Sequence, residues 1–370
     1  MQFIDLQSQQ KRIRDKINDN INRVLDHGRY IMGPEIEELE TKLSEYVNVE
    51  YAVGVGSGTD ALMMSLMAFQ IGPGDAVFTS PFTFIATAEV VRILGATPVF
   101  VDIDPLTYNI DPEKLEESIL TVTKQGKLNP RGIIPVDLFG QAADYDEIDG
   151  IAGRHDLFVL EDAAQGFGGS YKGRKIGSLG NVAATSFFPA KPLGAYGDGG
   201  MIFTRDRELA EKLISIRVHG KGTTKYENIR VGINGRLDTI QAAILLAKFT
   251  LLDEEVELRQ QVARRYSQGL GDRIQVPQVK ESNVSAWAQY SIRHPLREKI
   301  MKDLKSENIP TAIYYPIPLH QQQAFIDLGY KAGDFPESEK ISKDIFSIPM
   351  HPYLTADTQQ KIIDCILKNS

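Results

Sequence analysis

Cysteine occurs once, at Cys365. One thiol closes no internal disulfide, and neither a CxxC pair nor Cys/His metal spacing is present, so a disulfide scaffold and a zinc module are excluded. No run approaches the roughly 18 uncharged apolar residues of a membrane span. The opening MQFIDLQSQQKRIRDKIND has no apolar core of the secretory type. No dense Lys/Arg run offsets the net charge of −8, which argues against a nucleic-acid partner. Also missing are the P-loop and the dinucleotide GxGxxG spacing. These absences leave a soluble protein of a reducing compartment, expected in the cytoplasm, with no metal and no membrane contact.

What is present is an alternation. Hydrophobic residues make up 42% and charged residues 24% of 370 residues, enough for an ample core. Short apolar runs stand at 51–56, 76–80, 98–103, 132–140, 157–162, 182–188 and 200–204. Helical spacing is expected over 9–26, 35–46, 60–69, 85–94 and 147–154. Strands alternating with helices predict an α/β fold with a mostly parallel sheet flanked by helices, whose ligands sit beyond the carboxyl ends of the strands. From residue 205 helical patterns dominate (206–218, 238–251, 253–269). A smaller α+β unit is expected at the C-terminus, with a strand over 286–294 and a helix over 297–307. The expected division is 1–250, an N-terminal arm and large domain, and 251–370, a small domain.

One lysine is set apart. Lys191, in SFFPAKPLGAYGDGG, has no acidic residue within five positions on either side. The run LFVLED delivers Asp162 to a strand end, where a buried acid requires a partner. The run VAATSFF delivers Ser186, five residues before the lysine. An acid, a hydroxyl and a lysine at one sheet edge are the set that holds pyridoxal 5'-phosphate: Schiff-base amine, partner of the ring nitrogen, and phosphate donor. GVGSGTDAL adds Gly58 and Thr59 at a strand-to-helix turn, where free amides suit a phosphate. The alternatives are a helix cap for Asp162, a solvated loop for Lys191 and an ordinary glycine turn. They would leave three unrelated coincidences.

FIDLQSQ, GRYIMGPEIEELE, GSGTDAL, PFTFIATAE, VDIDPLTYNIDP, EDAAQGFG, SFFPAKPLGAYGDGG, GINGRLDTIQAAIL and YYPIPLH follow one another in this order. In these motifs the whole chain resembles the DegT/DnrJ/StrS group of nucleotide-sugar aminotransferases, of the fold type I pyridoxal-phosphate superfamily. The resemblance implies that Lys191 is the Schiff-base lysine and Asp162 the pyridinium partner, with Gln165 beside the ring and Phe84 stacked on it. Many relatives carry Tyr or Trp at the position of Phe84. Ser186, Gly58 and Thr59 are implied as phosphate ligands, and Asn234 as a residue reaching the phosphate of a neighbouring subunit, hence a homodimer with shared sites. Read singly, Phe84 is also a core aromatic, Gln165 a cap and Asn234 a turn residue.

The RLD of GINGRLD is similar to members acting at sugar carbon 3. The overall pattern most resembles those aminating UDP-2-acetamido-2-deoxy-3-oxo-glucuronate in bacterial polysaccharide or O-antigen synthesis, with glutamate as donor. In that reading Arg236 is the candidate partner of the sugar carboxylate, against an ion pair with Asp238. Tyr314, Tyr315, His320 and His219 are further substrate-side candidates, with a structural role as the alternative for His219. Relatives often carry His where Tyr314 stands. Arg29, Lys221 and Lys225 are basic residues available to a nucleotide diphosphate, with solvated surface as the default. The rivals are a sugar dehydratase, in which histidine replaces the lysine; a sugar oxidoreductase, which needs the absent dinucleotide motif; and a silent cofactor-binding protein.

Overall fold

The computed structural model describes every residue except Lys225, Asp272 and Ser370, and leaves the side chain of Asn369 undescribed. At its centre seven strands form one sheet: β1 (Tyr51–Val55), β2 (Asp75–Thr79), β3 (Thr97–Phe100), β4 (Asn129–Ile134), β5 (Phe158–Asp162), β6 (Val182–Ser186) and β7 (Gly200–Thr204). Their order is β1–β7–β6–β5–β4–β2–β3. Only β7 runs against its neighbours, pairing antiparallel with both β1 and β6. The other six are parallel to one another, so their carboxyl ends share one edge. Each apolar run of the sequence contributes one strand.

Both faces are covered. One is packed by the helices Gly58–Ala68, Ala86–Ile93 and Arg207–Arg217 through Leu62, Leu66, Val90 and Leu213. Leu115, Ile119, Ile148 and Ile151 fill the other. A strand buried on both sides cannot alternate, which is why these strands read as continuous apolar runs.

The differences from expectation lie at breaks and short elements. Residues 132–140 are not one strand. β4 ends at Ile134, Pro135 removes the next donor, and 138–140 form a single 3-10 turn with Phe139 at φ 58°. The helix expected over 9–26 divides at Ile13 into Leu6–Arg12 and Arg14–His27. A helix not anticipated, Pro112–Gln125, has regular signals: Asp111 caps the amides of Glu113 and Lys114, Pro112 opens the first turn, and Leu115, Ile119 and Val122 form its buried stripe. The strand expected over 286–294 is limited to Tyr290–Arg293 and pairs with Ile345–Ile348, which was not anticipated.

The long helix Leu252–Leu270 carries Leu252 and Val256 into the core of the large sheet, and Val262, Tyr266 and Leu270 into a separate C-terminal core with Ile292, Phe346 and Ile362. At its first turns Glu255 ties the N-terminal arm down. Gln9 Nε2 donates to both Glu255 oxygens (3.0 and 2.8 Å), and the Tyr353 hydroxyl donates to it as well. Glu255 is also the anion acting on two buried cations, Lys248 and Arg259. Burial pushes Lys248 down to about 8 against that attraction. Removing one charge from such a group leaves the others buried and unpaired. Glu255→Leu is therefore expected to lower unfolding stability by about 3 kcal/mol, read as a fall in the denaturation midpoint of the full chain.

Candidate active site

Residues far apart in sequence meet along the carboxyl edge of the sheet. Val55 of β1 lies opposite Gly200 of β7, and Gly200 opposite Ser186 of β6. The turn Gly56–Thr59 thus starts beside Ser186. The approach is close enough to require glycine: a Cβ on Gly58 would lie 2.7 Å from Ser186 Cβ and 3.1 Å from its Oγ. Ser57 caps the helix Gly58–Ala68, its Oγ accepting from Asp60 N at 3.0 Å, and Ala61 N donates to the Ser57 carbonyl. Among the described residues the Gly58 and Thr59 amides remain open, as the first donors of a helix do. This cradle has the donor set of a phosphate site.

Asp162 ends β5 and is 5% exposed. Thr87 Oγ1 donates to its Oδ2 at 2.8 Å and Ala164 N to its Oδ1 at 3.2 Å. Burial raises its proton affinity, while Thr87, Ala164 and the charge of Lys191 hold it down. The carboxylate is held by two donors yet under-compensated, so a cationic partner such as a protonated ring nitrogen fits it. Lys191 is partly buried on a tight turn in which its N–H donates to the Phe188 carbonyl at 2.8 Å. Burial lowers its pKa, and Asp162 opposes the shift. A desolvated amine facing one carboxylate has the character of a nucleophile and base.

Gln165 bridges two elements. Its Oε1 accepts from Phe139 N at 2.9 Å, and its Nε2 donates to the Tyr315 hydroxyl at 3.1 Å. Phe84 follows β2 and is 57% exposed, so its ring is open to a ligand instead of lying in a core. Tyr315 packs edge-on against Phe82, and Tyr314 lies against Tyr315 and Phe3.

Other candidates are placed differently. Asn234 is exposed, on a segment where the adjacent Gly235 carbonyl accepts from Gly56 N at 3.0 Å. Arg236 pairs with Val55 as an isolated bridge, and its Nε is buried without a hydrogen-bond partner. It forms no ion pair with Asp238 among the described residues. His320 is taken up by Glu339 (Nε2 to Oε1, 3.1 Å) and packs on Phe335 at 4.6 Å. His219 is exposed at φ 62°, its carbonyl accepting from Asn228. Arg29 and Lys221 are exposed, and Lys225 lies outside the described residues. Thr87 escaped the sequence reading. Its signal was a hydroxyl inside PFTFIATAE, buried at 1% where an apolar residue would otherwise pack.

The family model of the DegT/DnrJ/EryC1/StrS aminotransferases matches residues 11–367. The chain belongs to that family. It is 50% identical over 371 residues, covering all of both chains, to the UDP-2-acetamido-2-deoxy-3-oxo-D-glucuronate aminotransferase of Pseudomonas aeruginosa. Its structure superposes on a DegT/DnrJ/EryC1/StrS aminotransferase from Brucella abortus with a TM-score of 0.97, at 52% identity, covering 100% of this chain and 99% of the other. A Bacillus subtilis protein described with bound cofactor PMP gives 0.89 at 31% identity, covering 99% of this chain and 82% of the other. This aminotransferase uses pyridoxal phosphate, and the residues at the sheet edge fit that group.

Two outcomes check the geometry. Thr87→Val removes a hydrogen bond to a charged group, a loss of about 1.5 kcal/mol; cofactor affinity, measured by equilibrium dialysis, is expected to fall roughly tenfold. Gly58→Ala pushes a methyl into Ser186 and is expected to abolish inorganic-phosphate protection of the cofactor-free chain in a thermal shift assay, with the far-UV spectrum unchanged.

Proposed function

We propose that this aminotransferase acts on a nucleotide-linked 3-keto sugar bearing a carboxylate, of the UDP-2-acetamido-2-deoxy-3-oxo-glucuronate type, with glutamate as amino donor. The observation that carries the reading is Arg236. Its backbone pairs with Val55 beside the phosphate turn and its Nε is buried without a partner, and a planar bidentate cation is the group that recognises a carboxylate. The name of the Pseudomonas aeruginosa relative supports the same sugar. Tyr314 and Tyr315 are proposed to line the sugar side. Tyr315 does so from a position fixed by Gln165. His320 and His219 remain substrate-side candidates, as do Arg29 and Lys221 for the diphosphate.

Bound pyridoxal phosphate supplies an electrophilic carbon and an electron-accepting ring. In the proposed roles Lys191 Nζ, whose neutral form burial favours, would take a proton from the donor carbon and return it in the next step. Asp162 holds the proton on the ring nitrogen. Ser186, Gly58 and Thr59 would bind the phosphate, and Gln165 and Phe84 would hold the ring. Asn234 is proposed to reach the phosphate of a second copy. The segment around it projects Tyr226 (85% exposed), Val231 (84%) and Ile229 (57%), apolar surface suited to a homodimer interface. We assign the enzyme to the cytoplasm and to the synthesis of a bacterial surface polysaccharide such as O-antigen. Residues 1–250 and 251–370 are proposed as its large and small domains.

The test is a panel of UDP- and dTDP-linked 3-keto and 4-keto sugars with and without the carboxylate. The 3-keto uronate is expected to give the highest kcat/KM; equal turnover of 4-keto sugars overturns the assignment. Arg236→Ala is expected to reduce kcat/KM for the uronate by roughly 10- to 100-fold while leaving the glutamate half-reaction intact. Lys191→Ala is expected to abolish both half-reactions.

A further inference from the structure

On the face of β5 opposite Asp162, the neighbouring acid Glu161 is fully buried, and so is Asp137, just beyond β4. Glu161 takes Gly177 N on Oε1 (2.6 Å) and Leu179 N on Oε2 (2.7 Å). Asp137 takes Ala143 N at 3.1 Å and the Tyr145 hydroxyl at 3.0 Å, both on Oδ1. Its Oδ2 is buried and accepts from nothing. Val136 lies opposite Asp162 in a parallel bridge, which puts Asp137 and Glu161 on the same face of neighbouring strands, where their carboxyl groups interact. Two carboxylate oxygens cannot bond without a proton, and two adjacent buried anions with no cation bonded to them would be very costly. The unpartnered Oδ2 is accounted for when it carries that proton and donates it to Glu161.

We infer that Asp137 and Glu161 share one proton at neutral pH, Asp137 as donor and Glu161 as anion. Through it they act as positioning residues for the backbone that carries Asp162 and Gln165. That backbone is directly linked to the pair. Asp137 N donates to the Asp162 carbonyl at 3.0 Å, and Asp162 N to the Pro135 carbonyl at 2.9 Å. Leu138, next in the chain, leads to Phe139, whose N–H fixes Gln165. Gly166 closes over the pair, where a Cβ would meet Asp137 Cβ at 2.7 Å. The shared proton lets two acids brace the floor of the site while adding one negative charge in place of two.

Burial raises the proton affinity of both acids, Glu161 to about 7. The titratable group facing the pair is Tyr145, from the helix Tyr145–His155, while Asp162 points to the other face of the same strand. From the loop after Lys175, Glu161 meets the amides of Gly177, Leu179 and Gly180. An acid raised on folding contributes stability that is complete below its unfolded value and lost as pH rises through its folded one. Between about pH 5 and 7 the native chain therefore holds at least one proton more than the unfolded chain at this pair, the one on Asp137, and the folding constant falls at least roughly tenfold per pH unit.

The experiment compares the full chain carrying its cofactor with Asp137→Asn, in which the amide replaces the shared proton. No sugar is needed, so the result is independent of the substrate proposal. Infrared difference spectra at pH 7 are expected to show a protonated-carboxyl band, sensitive to deuterium, in the wild type and not in the variant. The variant is also expected to lose about one proton of pH dependence in unfolding between pH 5 and 7 and to keep its cofactor affinity. Asp137→Leu, which cannot bond Glu161, is expected to bind cofactor at least about tenfold more weakly. Loss of an ionised carboxylate band in the Asn variant, or a pH dependence equal to wild type, overturns the shared proton. Unchanged cofactor affinity in a folded Leu variant overturns the positioning role, and if that variant does not fold, weakened cofactor binding by the Asn variant overturns it instead.

Discussion

A carboxylate buried at the end of a central strand is the constraint around which the rest is arranged. Asp162 cannot be left without compensation in the middle of an apolar sheet. The chain supplies two neutral donors, Thr87 and Ala164, and one amine nearby. That is enough to orient the carboxylate but not to saturate it. The remaining electrostatic demand is what gives the site an appetite for a cationic ring nitrogen. Lys191 meets the mirror-image problem, since burial favours its neutral form. The two groups moderate each other without forming a closed ion pair, so both stay available.

The surrounding framework converts strand ends into coordinates. Parallel strands deliver their carboxyl termini to one edge, and each delivers a different chemical type: an amide turn after β1, an exposed ring after β2, an acid at the end of β5, a hydroxyl at the end of β6. Beyond them, Gln165 joins the turn after β5 to Phe139 on one side and Tyr315 on the other. Tyr315, from the last quarter of the chain, thereby meets the sheet edge at the site itself.

Much of this was legible in the sequence because it rests on local signals. Strands buried on both faces appear as unbroken apolar runs, and a lysine without acidic neighbours stands out in any charge pattern. What escaped depends on contacts between distant segments. Thr87 is unremarkable on its own helix and gains meaning only from Asp162, 75 residues away. The ring of His320 is held by Glu339 and Phe335, neither of which its own motif contains. Spacing carries no information about such contacts. The break of the fourth run at Pro135 was a local signal, outweighed by the apolar residues on both sides of the proline. The helix Pro112–Gln125 was readable from its cap and stripe, and its charged face masked it.

The reversed strand has a consequence for how the molecule comes into being. β7 is the last central strand in the chain, and it lies between β1 and β6. Until Gly200–Thr204 is in place, β1 has no neighbour in the sheet, and the amide turn that follows it has nothing to hold it against Ser186. Closing that gap joins segments about 150 residues apart, a long-range contact of the slow kind. A nascent chain therefore has its acid, its hydroxyl and its lysine before the turn after β1 is closed against Ser186. Competence to hold the cofactor arrives late, with the insertion of one strand.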